Sequence, residues 1–340
     1  MNDQPAIVIY GAGSVGCYLG GRLHEHIAVR LITRPRMADV LHEHGLTLSD
    51  LQGFQQHIPA KALDVQIQAQ NANAPLTLVT VKSADTAQAG RELADVLPPD
   101  AIVISFQNGL HNADLLRTAL PGRTVLAGMV PFNVLQHAPG RFHQGSGGEL
   151  MVEAHPALAP YLPAFTAAGL PLQQHTDMPA IQRAKLLFNL NNAINALSNR
   201  PLRQELAERG WRRCLALAQR EALAIFAAAH LPVARLTPLP PHWLPNILTL
   251  PNALFARIAP RMLAIDPLAR SSTWEDLQAG RRTEVDVLHG AIVELAAMMG
   301  KRAPVNQRII ELIREAEKAP VEWTSERLLR ELREAQSKAG

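Results

Sequence analysis

Ala6-Ile-Val-Ile-Tyr10-Gly11-Ala12-Gly13-Ser14-Val15-Gly16 is the stretch on which the fold turns. Ala6 to Tyr10 is a short, uninterrupted apolar run, the pattern of a strand covered on both faces. Gly11, Gly13 and Gly16 follow at G-x-G-x-x-G spacing, and Val15 to Leu23 then reads as a helix rich in small residues. In such a strand–turn–helix unit each glycine has a separate task. Gly11 permits the tight turn, Gly13 lets a pyrophosphate approach the backbone, and Gly16 lets helix and strand meet closely. Unpaired N–H groups and the positive end of the helix dipole would receive the phosphates. Gly11, Ala12, Gly13, Ser14, Val15 and Gly16 are therefore expected to bind a dinucleotide.

Further strands extend the unit. Ala28 to Thr33 predicts a second strand, whose end normally tells NAD from NADP. An acid about 20 residues after the glycines would hold the ribose 2′-hydroxyl. Thr33, Arg34 and Arg36 stand there instead, and a guanidinium suits a 2′-phosphate; a solvated surface pair is the plainer alternative. Leu76 to Val81 and Ala101 to Ser105 predict two more buried strands, ending at Lys82 and at Gln107-Asn108-Gly109. Open α/β sheets place ligands at such carboxyl edges. Lys82 and Asn108 are thus candidates to touch cofactor or substrate, or else a strand cap and a simple turn. Residues 45–70 predict short strands and loops, Ser83–Leu97 a helix, Thr124–Val134 and Glu149–Glu153 strands, Pro156–Ala168 a helix, and Leu172–His175 a last edge strand. Beyond about Met178 the patterns are helical: Pro179–Asn199, Leu202–Ala229, Thr283–Met299 and Asn306–Lys318. The expected architecture is an α/β Rossmann-type domain over residues 1–176 followed by an all-α domain over 177–335.

The bulk properties fit two soluble domains. The 340 residues are 47% hydrophobic and 19% charged, with a net charge of +3 spread among acids, which argues against a nucleic-acid surface. Cys17 and Cys214 lie far apart in helical patterns, so a disulfide framework or metal site is not expected, and none of the 13 histidines forms a convincing ligand pair. Residues 1–5 lack signal-peptide character and no apolar run approaches the ~18 residues of a membrane span; a cytoplasmic protein without membrane or nucleic-acid partners is expected. Nothing decides the oligomeric state, and a homodimer is compatible with the sequence.

Two segments of the helical half carry polar groups that packing alone does not require. Lys185-Leu-Leu-Phe-Asn189-Leu-Asn191-Asn192-Ala193-Ile-Asn195 places Lys185, Asn189 and Asn192 on one stripe at about 100° per residue, with Asn191 away from it. A lysine and two amides on one face are costly to bury without polar partners or a ligand; a helix–helix seam of amide hydrogen bonds is the alternative. Only six of the 33 basic residues are lysines, so one inside an apolar segment stands out. The second segment runs from Ser271-Ser272 through Asp276 and Gly280-Arg-Arg-Thr-Glu284. Ser271 or Ser272 could simply cap a helix, and Glu284 could simply answer a helix dipole.

Together the glycine turn, Val81-Lys82-Ser83, Gln107-Asn108-Gly109, Lys185-x-x-x-Asn189 and Ser271-Ser272-x-x-x-Asp276…Gly280-Arg-x-Thr-Glu284 resemble the ketopantoate reductases (2-dehydropantoate 2-reductases), over roughly residues 6–315. The resemblance implies a Rossmann-type domain, a helical domain, and an active site in the cleft between them. It implies NADPH-dependent reduction of a small 2-oxo acid, 2-dehydropantoate, to (R)-pantoate, toward pantothenate and coenzyme A. Lys185 would be the general acid and Glu284 its catalytic companion, accepting a substrate hydroxyl or pairing with Lys185. Asn108, Asn189, Asn192 and Ser272 would hold substrate, Asn108 lying also against the cofactor, with Lys82 and Arg34 serving the nucleotide. One position departs from the pattern: a further asparagine is expected at 193, where this chain has Ala193. Asn192 or Asn195 is the substitute, and the helical face favours Asn192. Two other functions remain open: reduction of another branched 2-oxo acid, and a nicotinamide-sensing regulatory protein without turnover.

Overall fold

The computed structural model describes residues 5–259 and 266–338; residues 1–4, read above as lacking signal-peptide character, lie outside it. The chain divides into two compact units, residues 1–179 and 180–340.

Unit 1 contains, in chain order, β1 (Ile7–Tyr10), α1 (Ser14–Leu23), β2 (Val29–Ile32), α2 (Pro35–His44), β3 (Leu46–Asp50), β4 (Gln55–Ile58), β5 (Asp64–Gln66) and β6 (Leu76–Val79). It continues with α3 (Thr86–Val96), β7 (Ile102–Ser105), α4 (Asn112–Ala119), β8 (Thr124–Met129), β9 (Val134–Ala138), β10 (Arg141–Gln144), β11 (Leu150–Glu153), α5 (Leu162–Ala167) and β12 (Leu172–His175). The main sheet has the order β12-β11-β8-β7-β6-β1-β2-β5. β1 is an interior strand, pairing in parallel with β2 on one side and β6 on the other. Its side chains split by parity: Ile7 and Ile9 join the core beneath α1, while Val8 and Tyr10 join the core with Val79, Leu93 and Val103. Double-sided burial is why the strand reads as an unbroken apolar run.

A second sheet, β4-β3-β10-β9, covers the outer side of α1. Adjacent glycines let that helix fit between the layers. A Cβ on Gly20 would come within 2.5 Å of Leu31 in the main sheet, and one on Gly21 within 2.6 Å of Leu46 in the small sheet. β9 and β10 depart from the sequence reading, which carried one strand from Thr124 to Val134. The hairpin carries Gln136, His137, Arg141, His143 and Gln144 with few apolar residues between them, and so lacks an apolar signal. The predicted helices Ser83–Leu97 and Pro156–Ala168 each begin with a separate 3₁₀ turn, at Ser83–Asp85 and Pro156–Leu158.

Unit 2 is helical: α6 (Met178–Asn189), α7 (Asn191–Ser198), α8 (Leu202–Ala207), α9 (Arg209–Ala228), α10 (Leu244–Leu248), α11 (Asn252–Ile258), α12 (Ser272–Gln278), α13 (Val285–Met298), α14 (Pro304–Ala316) and α15 (Ser325–Ser337). α9 is its axis, burying Trp211, Leu215, Ala218, Ala222 and Phe226. Two predicted helices are each divided. Glu208 is extended (φ −95°, ψ 121°) and separates α8 from α9; its carboxylate takes Arg200 Nη1 at 2.7 Å and the Ser325 hydroxyl. Leu190 separates α6 from α7 more gently. It keeps helical dihedrals (φ −58°, ψ −20°), and its N–H still bonds the Leu186 carbonyl at 2.9 Å, so the periodicity of residues 185–192 carries across. Among the described residues no helix is long and apolar enough to cross a membrane.

Candidate active site

The glycine turn is fixed by its neighbours on both sides. Gly11 and Ala12 donate to the Ile32 carbonyl at the end of β2, at 3.0 and 2.9 Å. Thr33 Oγ1 donates to the Ala12 carbonyl at 2.8 Å, and Thr80 Oγ1, beyond β6, donates to the Gly11 carbonyl at 2.9 Å. Gly11 has φ +94°, and a Cβ there would lie 2.3 Å from Val81 Cγ1; only glycine meets both demands. A Cβ on Gly16 would meet Thr80 Oγ1 at 2.6 Å. Gly13 differs: it is exposed, and a Cβ would approach nothing closer than 3.9 Å. The helix behind it starts with Gly13 as N-cap, has no side-chain cap and carries no acid in its first turn. Open backbone, orphan N–H groups and no competing carboxylate suit a pyrophosphate.

The polar residues predicted at strand ends follow β2, β6 and β7. Gln107 bonds the Val81 carbonyl at 3.1 Å and Thr86 Oγ1 at 2.7 Å, tying the ends of β6 and β7 together. The Asn108 carbonyl accepts from Ser83 Oγ at 3.0 Å and Asn112 Nδ2 at 2.5 Å, which holds the turn at Gly109 (φ +96°). Lys82 is exposed at the start of the 3₁₀ turn. Arg34 caps the start of α2 without a side-chain cap bond and reaches Asp85 instead, Nη2 to Oδ2 at 2.7 Å. Sequence reading did not single out Asp85; its only signal is an acid three residues beyond Lys82.

In unit 2, Lys185 is half-buried on α6 between Ala184 and Leu186, both enclosed. Desolvation lowers its pKa from the usual lysine value to about 8, because burial penalises the ammonium form. Asn189 is buried one turn further on.

The asparagines that follow separate into two groups. Asn191 and Asn195 point to buried Glu205, donating to its Oε2 at 3.0 and 3.3 Å. Asn195 also donates to the Arg200 carbonyl at 2.9 Å and accepts the Ser271 N–H at 2.9 Å. Enclosed and engaged at both ends of its amide, it belongs to the scaffold. Asn192 stays half-buried, and its Nδ2 lies 3.4 Å from Ser272 Oγ. Of the two substitutes for the asparagine missing at Ala193, Asn192 is the one brought beside another predicted site residue.

The Ser271–Glu284 motif separates in the same way. Ser271 caps α12, accepting from Trp274 N at 3.2 Å and donating to the Asn192 carbonyl at 2.8 Å. Asp276 pairs with Arg281 at 3.0 Å, and Thr283 donates through N–H and hydroxyl to Glu317 at 2.9 and 2.8 Å. Ser272 and Glu284 are half-buried, Glu284 as the N-cap residue of α13. Glu205 was not read from the sequence, where it resembles any acid in a surface helix. Cys17 and Cys214 are buried free thiols, and burial raises the pKa of Cys17 to about 12.

A Rossmann-type unit with an open phosphate turn, followed by a helical unit bearing a desolvated lysine, has the organisation of a nicotinamide-dependent oxidoreductase. The chain matches "Ketopantoate reductase PanE/ApbA" over residues 7–157 and its C-terminal counterpart over residues 177–317. It belongs to the ketopantoate reductase family. The 2-dehydropantoate 2-reductase of Halobacterium salinarum is 29% identical over 324 residues, covering 92% of this chain and 99% of that protein. The crystal structure of a PanE/ApbA family ketopantoate reductase from Ralstonia eutropha JMP134 superposes with a TM-score of 0.77 at 29% identity, covering 92% and 99% of the two chains. D-mandelate dehydrogenase in complex with NADH and anilino(oxo)acetate shares the fold, with a TM-score of 0.74 at 18% identity and the same coverage.

Proposed function

We propose that the chain catalyses NADPH-dependent reduction of 2-dehydropantoate to (R)-pantoate, a step toward pantothenate and coenzyme A. The observation that carries the reading is Lys185, half-buried, with a pKa lowered to about 8, one helical turn from Asn189 in a chain of this family. The bound reduced nicotinamide supplies a hydride to the carbonyl carbon of the 2-oxo acid. Lys185 Nζ–H⁺ faces the charge that develops on the carbonyl oxygen and gives it a proton, leaving a neutral amine. A pKa near the working pH suits that acid, since it is protonated beforehand and releases its proton readily.

Gly13, Ser14 and Val15 would hold the pyrophosphate, Arg34 and Lys82 the remaining phosphate charge. Asn189, Asn192 and Ser272 would hold the acid, with Asn108 against both ligands. Residues 1–176 thus serve the cofactor and residues 177–335 the substrate. Glu284 decides the substrate: beside an anion, a carboxylate is useful as an acceptor for a hydroxyl or as a partner for Lys185. If it accepts the 4-hydroxyl of 2-dehydropantoate, an analogue without that hydroxyl forfeits this hydrogen bond, and discrimination can reach ~10⁴-fold. Ala193 favours a second reading, a reductase of another branched 2-oxo acid.

NADPH oxidation across a panel of 2-oxo acids separates the two. The parent is expected to prefer 2-dehydropantoate strongly over 2-oxoisovalerate, and Glu284→Ala to lose most of that preference. Equal use of the two acids by the parent, or use of a third acid alone, would overturn the 2-dehydropantoate assignment.

A further inference from the structure

β1 lies between β2 and β6 in the main sheet. Arg34 follows β2 and Asp85 follows β6, so the ion pair between them, 2.7 Å from Nη2 to Oδ2, passes over the carboxyl edge of the strand that carries the glycine turn. This is the edge where a dinucleotide's adenosine half lies in folds of this kind. The Arg34 side chain is 82% exposed and that of Asp85 36%. The arginine therefore has room to point elsewhere, and the carboxylate is what holds it across the edge. No acid stands at the end of β2 itself, where a 2′-hydroxyl reader would be expected; the nearest carboxylate Arg34 meets comes from the opposite side.

We propose that Asp85 sets the choice between NADPH and NADH by competing with the 2′-phosphate for Arg34. This rests on the reading that the glycine turn binds a nicotinamide dinucleotide. A 2′-phosphate must take the guanidinium from Asp85 and lie beside its negative charge. A 2′-hydroxyl does neither and can donate a hydrogen bond to the same carboxylate. Arg34 alone would make a strongly NADPH-selective site; Arg34 with Asp85 makes one in which NADH remains usable. The chain thus reads the 2′-position with two residues of opposite sign, 51 positions apart.

Nucleotide binding tests this without any need for turnover. NADPH and NADH fluorescence titrations would be run on the parent, Asp85→Asn, Arg34→Ala and the double variant, with Asp85→Ser as a second neutral replacement. Asp85→Asn and Asp85→Ser should tighten NADPH by roughly two- to fivefold, the range for relieving an exposed charge pair, and leave NADH unchanged or weaker. The gain should shrink as salt rises, because exposed charges are screened, and should vanish in the Arg34→Ala background, since Asp85 acts through Arg34. Neutral variants that change both nucleotides alike, or weaken NADPH, would overturn the inference. So would a gain that persists without Arg34. A parent that binds neither nucleotide would instead remove the dinucleotide reading itself, and the inference with it.

Discussion

The glycine turn of unit 1 and the α6–α7 segment of unit 2 carry the two halves of the proposed chemistry, and they are built oppositely. The turn works through its backbone. Its N–H groups and open Gly13 surface would do the binding, and Gly11 and Gly16 leave no room for a side chain. The α6–α7 segment works through side chains held in apolar surroundings, where burial moves the acidity of Lys185. At Gly11 and Gly16 a methyl group is too much. In the second, shape is negotiable and the polar group is not. Substitutions should therefore damage the two regions in different currencies, stability with nucleotide binding in one and turnover in the other.

The largest effect is expected at Gly11→Ala. Its φ of +94° disfavours any L side chain, and the new methyl would stand 2.3 Å from Val81 Cγ1. The conformational cost of about 1–2 kcal/mol and an overpacking cost of about 1–3 kcal/mol add. Thermal melting should fall by roughly 5–15 °C, with nucleotide binding lost. A variant that melts like the parent and still binds NADPH would break the contrast at its first term.

Lys185→Ala should do the reverse. The fold and NADPH binding should persist while turnover drops by on the order of 10² or more. Because the protonated amine is the acid, reduction by the parent should slow as pH rises through about 8, and the residual rate of the variant should lack that inflection. The stability slope has its own sign. The folded pKa is lowered, so the contribution of Lys185 is fully present above the ordinary lysine value and is lost as pH falls through about 8. Near-normal turnover in Lys185→Ala would remove the side-chain half of the comparison.

These two regions were not equally legible in the sequence. The turn imposes local demands, apolar strand, three glycines and helix within eleven residues, and local demands leave local marks. Lys185 and Asn189 were also visible, because a lysine and an amide on one helical stripe violate the apolar pattern. Which asparagine serves which purpose was not. Asn191 and Asn192 are adjacent, yet one faces Glu205 and the other Ser272, and only the packing of α7 against α8 and α12 decides that. The Arg34–Asp85 pair and the bond from Ser271 Oγ to the Asn192 carbonyl depend likewise on partners distant in sequence. The hairpin β9–β10 escaped because a half-exposed strand rich in His, Gln and Arg shows no apolar period, and α15 because a charged surface helix looks like a tail.

The smallest expected effect probes the support behind the side-chain half. Glu205 is fully enclosed; its Oε2 accepts from Asn191 and Asn195, and its Oε1 has no hydrogen-bond partner. Burial raises its pKa to about 8, against the lowering influence of the two amides and of Arg212. Since the folded pKa lies above that of the unfolded chain, its contribution is fully present below about 4.5 and is lost as pH rises through about 8. Buried His289, with its pKa lowered to about 4, contributes the opposite slope, but only below the ordinary histidine value of about 6.5. Between about pH 6.5 and 8 the fall in stability therefore reports Glu205, and between about pH 8 and 9 the rise reports Lys185, before the raised thiol pKa values of buried Cys17 and Cys214 bring stability down again at higher pH. The parent should show a local stability minimum near pH 8. Glu205→Gln keeps an acceptor for the two asparagines and cannot ionise. It should flatten the acid limb of that minimum, with the alkaline limb intact and stability at pH 6 changed by no more than about 1–2 kcal/mol. Because Asn195 holds the Ser271 N–H at 2.9 Å, Glu205→Ala should additionally raise KM for the 2-oxo acid while NADPH binding stays unchanged. Urea melts at half-unit pH steps decide the matter: an acid limb that survives in Glu205→Gln would show that the carboxyl behind the asparagines does not set it.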